Sequence, residues 1–155
     1  MKDRIKITTD VKFGKNCKIY EPVNLYGCEI GDNVMVGPFV EIQSNSKIGE
    51  NTKVSSHSFI CSFVDIGKDC FVGHGVMFIN DKFKNGKTSK QDDSRVSNLK
   101  NTKIGNNVLS GSNSTILPVT ICDNVVIGAG AVVTKNINKP GVYFGNPAKY
   151  KRNID

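Results

Sequence analysis

The sequence has no apolar run near the roughly 20 residues that a membrane-spanning helix requires. Its charged N-terminus is not followed by the continuous apolar stretch of a signal peptide. The five cysteines are scattered and include no C-x-x-C pair, which argues against a disulfide framework and against a structural zinc site. We therefore expect a cytoplasmic protein with reduced thiols and without a membrane partner.

Arginine is also scarce, although the formal net charge is +7. The cationic residues are 18 lysines and only three arginines, whereas nucleic-acid-binding proteins rely on arginine for bidentate contacts. We therefore expect no nucleic-acid partner and instead a small ligand that carries phosphate. With 38% hydrophobic and 23% charged residues, the chain is predicted to form a single globular domain over residues 1–155.

Helical periodicity is absent, and a six-residue period takes its place. From Ile30 onward, nine successive residues at this spacing are apolar: Ile30, Val36, Ile42, Ile48, Val54, Ile60, Ile66, Val72 and Phe78. The same step runs from Ile7 to Leu25 and resumes at Ile104, with Ser110 as its one polar member. A period of six fits neither a helix nor a simple strand, and indicates short strands separated by corners.

A second repeat gives the length of one turn. A tetrad of apolar, small, any and Asn or Asp residues recurs at Phe13, Ile30, Ile48, Ile66, Ile104 and Ile121. Its uninterrupted spacings are 17 or 18 residues, so three hexads make one turn. Gly and Asn tolerate the positive φ that a tight corner requires. The pattern predicts an all-β, three-sided prism of about six turns, filled by the first residue of each hexad.

The repeat breaks off between residues 80 and 102 and changes again near the C-terminus. An excursion of this length inside a compact domain is usually functional, and we expect a loop that reaches the active site of a neighbouring subunit. Asn146-Pro147 offers an N-cap and a proline at the first helical position. We therefore predict a short helix in a C-terminal cap over residues 139–155, covering the open edge of the strands.

These features together resemble the hexapeptide-repeat acyltransferases, and the resemblance covers about residues 7–150. Its most specific part is the tail over residues 128–135 (GAGAVVTK) and 140–149 (PGVYFGNPAK). This tail is similar to the coenzyme A end of bacterial acetyltransferases. Residues 70–81 (CFVGHGVMFIND) are similar to N-acetyltransferases of nucleotide-linked amino sugars, including dTDP-3-amino-3,6-dideoxyhexoses and UDP-linked 3-amino sugars.

The resemblance implies a left-handed parallel β-helix, a homotrimer, and acetyl-CoA as co-substrate in the groove between adjacent prisms, without a metal. It implies an acetyl-CoA-dependent N-acetyltransferase acting on a nucleotide-linked amino sugar in surface polysaccharide biosynthesis, such as that of O-antigen or lipopolysaccharide. Small residues would let the pantetheine approach the backbone, and basic residues would bind its phosphates. The candidates for coenzyme A binding are Gly111, Ala129, Gly130, Lys135, Lys149 and Arg152.

The two histidines, His57 and His74, occupy nearly equivalent positions of consecutive turns. We expect them on one face of the prism, about 4.8 Å apart along its axis. Sugar O-acetyltransferases of the superfamily carry a catalytic histidine just after the equivalent of Phe78, where this chain reads INDKFK. This departure favours an amine acceptor. We assign His74 and Asn80 to catalysis, with His74 orienting or deprotonating the amine, and His57 and Asp81 to binding the amino sugar.

Two other functions remain open. An O-acetyltransferase for a sugar or small molecule would need a positioned general base, because a hydroxyl is a poor nucleophile. A non-catalytic β-helix scaffold would need neither the coenzyme A-like tail nor the excursion. A γ-class carbonic anhydrase shares this fold, but its zinc site needs three histidines per chain, and the two in this chain nearly exclude that function.

Overall fold

The structure, a computed structural model, describes residues 6–83 and 99–155. Throughout these ranges the regular elements are β-strands. As far as Val133, successive strands pass from sheet A to sheet B to sheet C and back to sheet A, so each sheet receives every third strand, and the last two strands both join sheet C. The predicted three-sided solenoid of about six turns is confirmed, and the architecture is consistent with the left-handed β-helix that the resemblance implies.

Strands one turn apart are neighbours in the same sheet. Sheet A consists of β1 (Lys6–Ile7), β4 (Asn24–Leu25), β7 (Glu41–Ile42), β10 (Phe59–Ile60), β13 (Met77–Phe78), β16 (Thr115–Ile116) and β19 (Val132–Val133). Sheet B consists of β2 (Lys12–Phe13), β5 (Glu29–Ile30), β8 (Lys47–Ile48), β11 (Val64–Ile66), β14 (Thr102–Ile104) and β17 (Thr120–Ile121). Sheet C consists of β3 (Lys18–Ile19), β6 (Met35–Val36), β9 (Lys53–Val54), β12 (Phe71–Val72), β15 (Leu109–Ser110), β18 (Val125–Ile127), β20 (Gly141–Phe144) and β21 (Lys149–Arg152).

The first residue of each hexad lies inside the prism, as predicted. From Leu25 to Val133 these side chains are at most 4% exposed and form one continuous core. Ser110 occupies such a position and is 2% exposed. At the N-terminal end Ile7 and Phe13 are 37% and 42% exposed, because no described turn covers them from below.

The corner between sheets B and C explains the Asn and Asp of the repeated tetrad. These residues have φ between 53° and 59°, the left-handed region that Asn tolerates. They are Asn16, Asn33, Asn51, Asp69, Asn107 and Asn124. Their side chains also bond between turns, since Asn33 Nδ2 donates to Asn51 Oδ1 at 3.1 Å and Asn51 Nδ2 to Asp69 Oδ1 at 2.9 Å. The tetrad therefore records a corner that is stabilised from turn to turn.

The predicted excursion leaves and rejoins the prism at the corner between sheets A and B. Lys100 N donates to Asn80 O at 2.9 Å, which closes the base of the loop. Strand β14 then pairs with β11 in unbroken register, Val64 beside Thr102. Residues 84–98 of the predicted loop lie outside the described residues.

The predicted C-terminal helix is wrong, because the chain ends in two antiparallel strands, β20 and β21. The last turn of a solenoid has unpaired backbone groups, which an extended segment can bond and a helix cannot. Strand β20 pairs with β18, Gly145 O accepts from Val132 N at 2.9 Å, and Ala148 N donates to Val132 O at 2.8 Å. The C-terminal segment therefore covers the open end, as expected of a cap, with strands in place of a helix.

None of the helices that a membrane crossing would require is found in the part of the chain that the structure describes.

Candidate functional site

One edge of the prism carries half of the predicted site residues. This C–A corner joins sheet C to sheet A through residues 20–23, 37–40, 55–58, 73–76, 111–114 and 128–131. The predicted site residues on it are His57, His74, Gly111, Ala129 and Gly130. Backbone hydrogen bonds stack the turns, with Asn113 N donating to His74 O at 2.8 Å and Gly130 N to Ser112 O at 2.9 Å. The structure therefore places both histidines and the small residues in one continuous column.

The His74 ring is exposed, and its Nδ1 lies 2.9 Å from the Ser56 hydroxyl of the turn below. Nε2 has no hydrogen-bond partner within residues 6–83 and 99–155. When Nδ1 holds the proton and donates it to Ser56, Nε2 presents a lone pair outward, as a general base requires. His74 is thus oriented by one nitrogen and available through the other.

The two histidines, predicted on one face of the prism, lie in consecutive turns of one edge, the C–A corner. The residue above His57 is Gly75, and both have left-handed backbones with φ of 64° and 65°. The His57 ring is turned toward the preceding turn, where it stacks on Phe39 with centroids 4.9 Å apart and planes 29° apart. His57 therefore pairs with an aromatic side chain and not with His74.

Asn80, Asp81 and Lys135 lie at the opposite edge of sheet A, on the A–B corner. Asn80 Nδ2 donates to Ser62 O at 3.0 Å, and Asp81 Oδ1 accepts from the backbone N–H two residues later at 2.8 Å. Between the corner at Gly75 and Asn80 the chain runs five residues along sheet A, which corresponds to roughly 15 Å. The two predicted catalytic residues are therefore not brought together within one chain.

Lys149 and Arg152 lie on the terminal strand β21. Lys149 is exposed and pairs with Phe144 of β20, which contacts the C–A corner at Gly128. Arg152 Nη1 lies 2.8 Å from Asp155 Oδ2, so its charge already has a partner. Lys149 therefore lies near the top of the corner, and among residues 6–83 and 99–155 its ammonium has no carboxylate partner.

Glycine occupies the positions of Gly111 and Gly130 in the corner for different physical reasons. A Cβ on Gly111 would lie 2.4 Å from Ala129 N, so close packing between turns already requires glycine there. A Cβ on Gly130 would meet nothing within 4 Å, although its φ of 68° excludes most side chains. Asn113 has the equivalent backbone one turn below, with φ of 59°. Glycine at position 130 therefore leaves open space above the backbone that asparagine would fill.

The outward faces of the sheets differ in charge, a feature that the sequence reasoning missed. On sheet B, positive and negative side chains alternate from one strand to the next. Lys12 Nζ lies 3.3 Å and Lys47 Nζ 3.5 Å from the Glu29 carboxylate. These contacts, led by the Lys12 hydrogen bond, hold the pKa of Glu29 below its ordinary value. From β10 upward the outward residues of sheet A are uncharged, namely Phe59, Met77, Thr115 and Val132. This difference in charge could have been read from the sequence, in the residue that precedes the first residue of each hexad.

Four of the five thiols, three of them buried and one half-buried, are unsuited to nucleophilic chemistry. Burial raises the pKa of Cys28 to about 11 and that of Cys61 to about 12, and it also raises the pKa of Cys70 and Cys122. These four side chains are therefore thiols rather than thiolates at neutral pH. Across the described ranges, no three His, Cys, Asp or Glu side chains are grouped closely enough to hold a metal ion.

Replacing Gly130 with asparagine separates the two reasons for glycine at this position. Because Asn113 tolerates the same φ, we expect the variant to fold with a melting temperature close to that of the wild type. If the pantetheine of acetyl-CoA passes over this position, the added side chain should raise the KM for acetyl-CoA about tenfold or more, as measured by thiol release. The matched control is Asn33→Gly, at the same φ on the B–C corner and away from the proposed path, with an unchanged KM. An unchanged KM in Gly130→Asn would contradict the assignment.

Comparisons with known proteins agree with this architecture. Residues 27–62 match the family described as bacterial transferase hexapeptide (six repeats), and residues 101–135 match the hexapeptide repeat of succinyl-transferase. The bifunctional protein GlmU of Streptococcus uberis is 38% identical over 120 residues, which cover 77% of this chain and 23% of that relative. The chain therefore spans under a quarter of the length of this curated relative.

Two solved structures share the fold. Perosamine N-acetyltransferase from Caulobacter crescentus, in complex with CoA and GDP-perosamine, matches with a TM-score of 0.70 and 20% identity over 86% of this chain and 56% of that chain. AntD, an N-acyltransferase from Bacillus cereus in complex with dTDP-4-amino-4,6-dideoxyglucose and coenzyme A, matches with a TM-score of 0.64 and 23% identity. That match covers 93% of this chain and 83% of AntD.

Proposed function

Because the chain belongs to the bacterial transferase hexapeptide family, we propose that it is an acetyl-CoA-dependent N-acetyltransferase of a nucleotide-linked amino sugar. The observation that carries the proposal is the C–A corner, where His74 with an available Nε2 lies below the open space at Gly130. Two turns of the solenoid separate these residues, about 10 Å along the axis. A pantetheine chain that follows the corner from Gly130 would bring its thioester to His74.

The reaction then follows from the position of one nitrogen atom. The neutral amine of the sugar attacks the thioester carbonyl, a C–N bond forms, and the C–S bond breaks to release the coenzyme A thiolate. The proton lost by the amine passes to His74 Nε2 and then to the thiolate or to solvent. The Ser56 hydroxyl keeps the ring in place while Nε2 gains and loses this proton.

A second chain completes the proposed site. Asn80 and Asp81 lie across sheet A from His74, too far to contact the same amine within one chain. The uncharged outward residues of sheet A favour burial against another subunit, whereas the alternating charges of sheet B favour solvent. We therefore propose a homotrimer in which Asn80 and Asp81 of one chain approach His74 of the next, with Lys135 and Lys149 as candidates for the phosphates of coenzyme A.

The family membership and the structural neighbours support the nucleotide-linked acceptor, since both neighbours hold coenzyme A together with a nucleotide-linked amino sugar. The proposed role is in the biosynthesis of a surface polysaccharide, which uses such sugars as activated building blocks. The hydroxyl acceptor is disfavoured because no histidine follows Phe78 in the sequence.

Incubation with acetyl-CoA and a panel of acceptors tests the proposal. The panel contains dTDP- and UDP-linked amino sugars and the same sugars with a hydroxyl group in place of the amine, and thiol release is followed. We expect release with at least one amino sugar and none with its hydroxyl counterpart. Release with hydroxyl sugars alone would indicate an O-acetyltransferase. Silence across the panel, without a thermal shift from coenzyme A, would indicate a scaffold.

A further inference from the structure

Three phenylalanines and one histidine have a backbone conformation that Gly, Asn and Asp otherwise occupy in this fold. Seventeen described residues have φ in the left-handed region, and thirteen of them are Gly, Asn or Asp. The four exceptions are Phe39, His57, Phe63 and Phe83. Bulky side chains are uncommon in this region and tend to persist where function requires them.

Two of these exceptions, Phe39 and His57, are stacked on each other on successive turns of the C–A corner. Phe39 is 59% exposed, so much of its ring is open to solvent although one side is stacked on His57. Asparagine occupies the same φ on the B–C corner, as at Asn33 and Asn51, and on the C–A corner itself at Asn113. The fold therefore does not require an aromatic residue at position 39, and both its backbone and its exposure oppose one.

The position of the stack relative to His74 indicates a ligand. Phe39, His57 and His74 follow one another along the corner, and the distance from first to last is two turns, about 10 Å. We propose that Phe39, held by His57, is a platform on which the base of the nucleotide-linked acceptor stacks. This inference rests on the proposed function. In such an acceptor a ribose and a diphosphate separate the base from the amino sugar. Two turns of the corner separate Phe39 from His74, which leaves room for this connection.

One charge beside the platform suits the diphosphate. Lys53 lies on the strand of sheet C that leads into the His57 turn, between the platform and His74, and its side chain is exposed. It forms no ion pair with a carboxylate in the described part of the chain, in contrast to Lys12 and Lys47 of sheet B, and its Nζ lies 5.7 Å from the centroid of the Phe71 ring. An exposed aromatic ring near a cation that no carboxylate neutralises is the combination that binds a nucleotide through stacking and phosphate contacts.

The variants Phe39→Asn and Phe39→Tyr test the platform. Asparagine is the residue that the fold uses at this φ, so we expect Phe39→Asn to melt at or above the wild-type temperature. Stacking of one base on an aromatic side chain is worth enough to predict about tenfold or weaker binding of dTDP and UDP, measured by titration calorimetry with pyrophosphate as the base-free probe. The KM for the nucleotide-linked acceptor should rise equally, with kcat and the KM for acetyl-CoA unchanged. Phe39→Tyr keeps the ring face and should behave as the wild type.

Three outcomes would overturn the platform. The first is wild-type affinity of Phe39→Asn for dTDP and UDP while the wild type turns over a nucleotide-linked acceptor, which would leave the proposed function intact. The second is equal weakening of pyrophosphate and nucleotide binding. The third is a lowered melting temperature or a smaller assembly by light scattering, which would make Phe39 a packing residue. A wild type that binds neither nucleotide and acetylates no member of the panel would instead contradict the proposed function itself.

Discussion

His74→Asn is expected to lower kcat by about 100-fold or more, the usual contribution of a positioned general base. Asparagine can keep the hydrogen bond to the Ser56 hydroxyl, which lies 2.9 Å from His74 Nδ1, but it has no equivalent of Nε2. The loss should therefore appear in kcat, measured by thiol release at saturating acceptor, while the KM for acetyl-CoA and the oligomeric mass stay unchanged.

Ser56→Ala is the companion variant. It leaves Nε2 in place and removes only the group that orients the ring, so a fall of about fivefold in kcat is expected from the loss of one ordinary hydrogen bond. A fall in His74→Asn no larger than that in Ser56→Ala would show that the amine attacks without a base, and His74 would lose its assignment.

Ile60→Ala is expected to cost about 2–5 kcal/mol in the free energy of unfolding, measured in guanidinium chloride. Ile60 is fully buried on the central strand β10 of sheet A. The turns above and below it cannot collapse into the cavity without breaking the register of their own strands.

Phe13→Ala is the matched control, because Phe13 occupies the same hexad position but is 42% exposed at the open end. Its replacement should cost less than about 1 kcal/mol, as expected for a side chain that buries little apolar area. Equal costs at the two positions would contradict a core that is complete in the middle of the prism and open at its N-terminal end.

The fold was predictable because the geometry of a solenoid repeats at short intervals along the sequence. The side chain at every sixth position has one environment, and the Asn and Asp residues of the tetrad have one backbone conformation, so both are legible without any long-range information. The C-terminal strands were not predictable in this way, because β20 and β21 form in order to bond the unpaired backbone edge of the last turn. Asn146-Pro147 fits the start of a helix in isolation, and only the adjacent edge decides against it.

The site was predictable in its composition and not in its geometry. Counting in steps of 18 places His57 next to His74, but it does not show that both lie in corner turns or that the His57 ring faces Phe39. The distance from His74 to Asn80 could not be predicted, because it depends on where each corner of the prism lies along the chain. Phe39 was invisible to the hexad pattern, because its significance lies in a φ of 60° combined with exposure of its ring.

A crystal structure of the protein with coenzyme A tests the central claim most directly. The account predicts that the pantetheine follows the C–A corner past Gly130 and Gly111, and that the sulfur atom lies beside His74 Nε2 with another chain facing it. Coenzyme A bound along the charged surface of sheet B, or at the corner lined by Asn33 and Asn51, would contradict it.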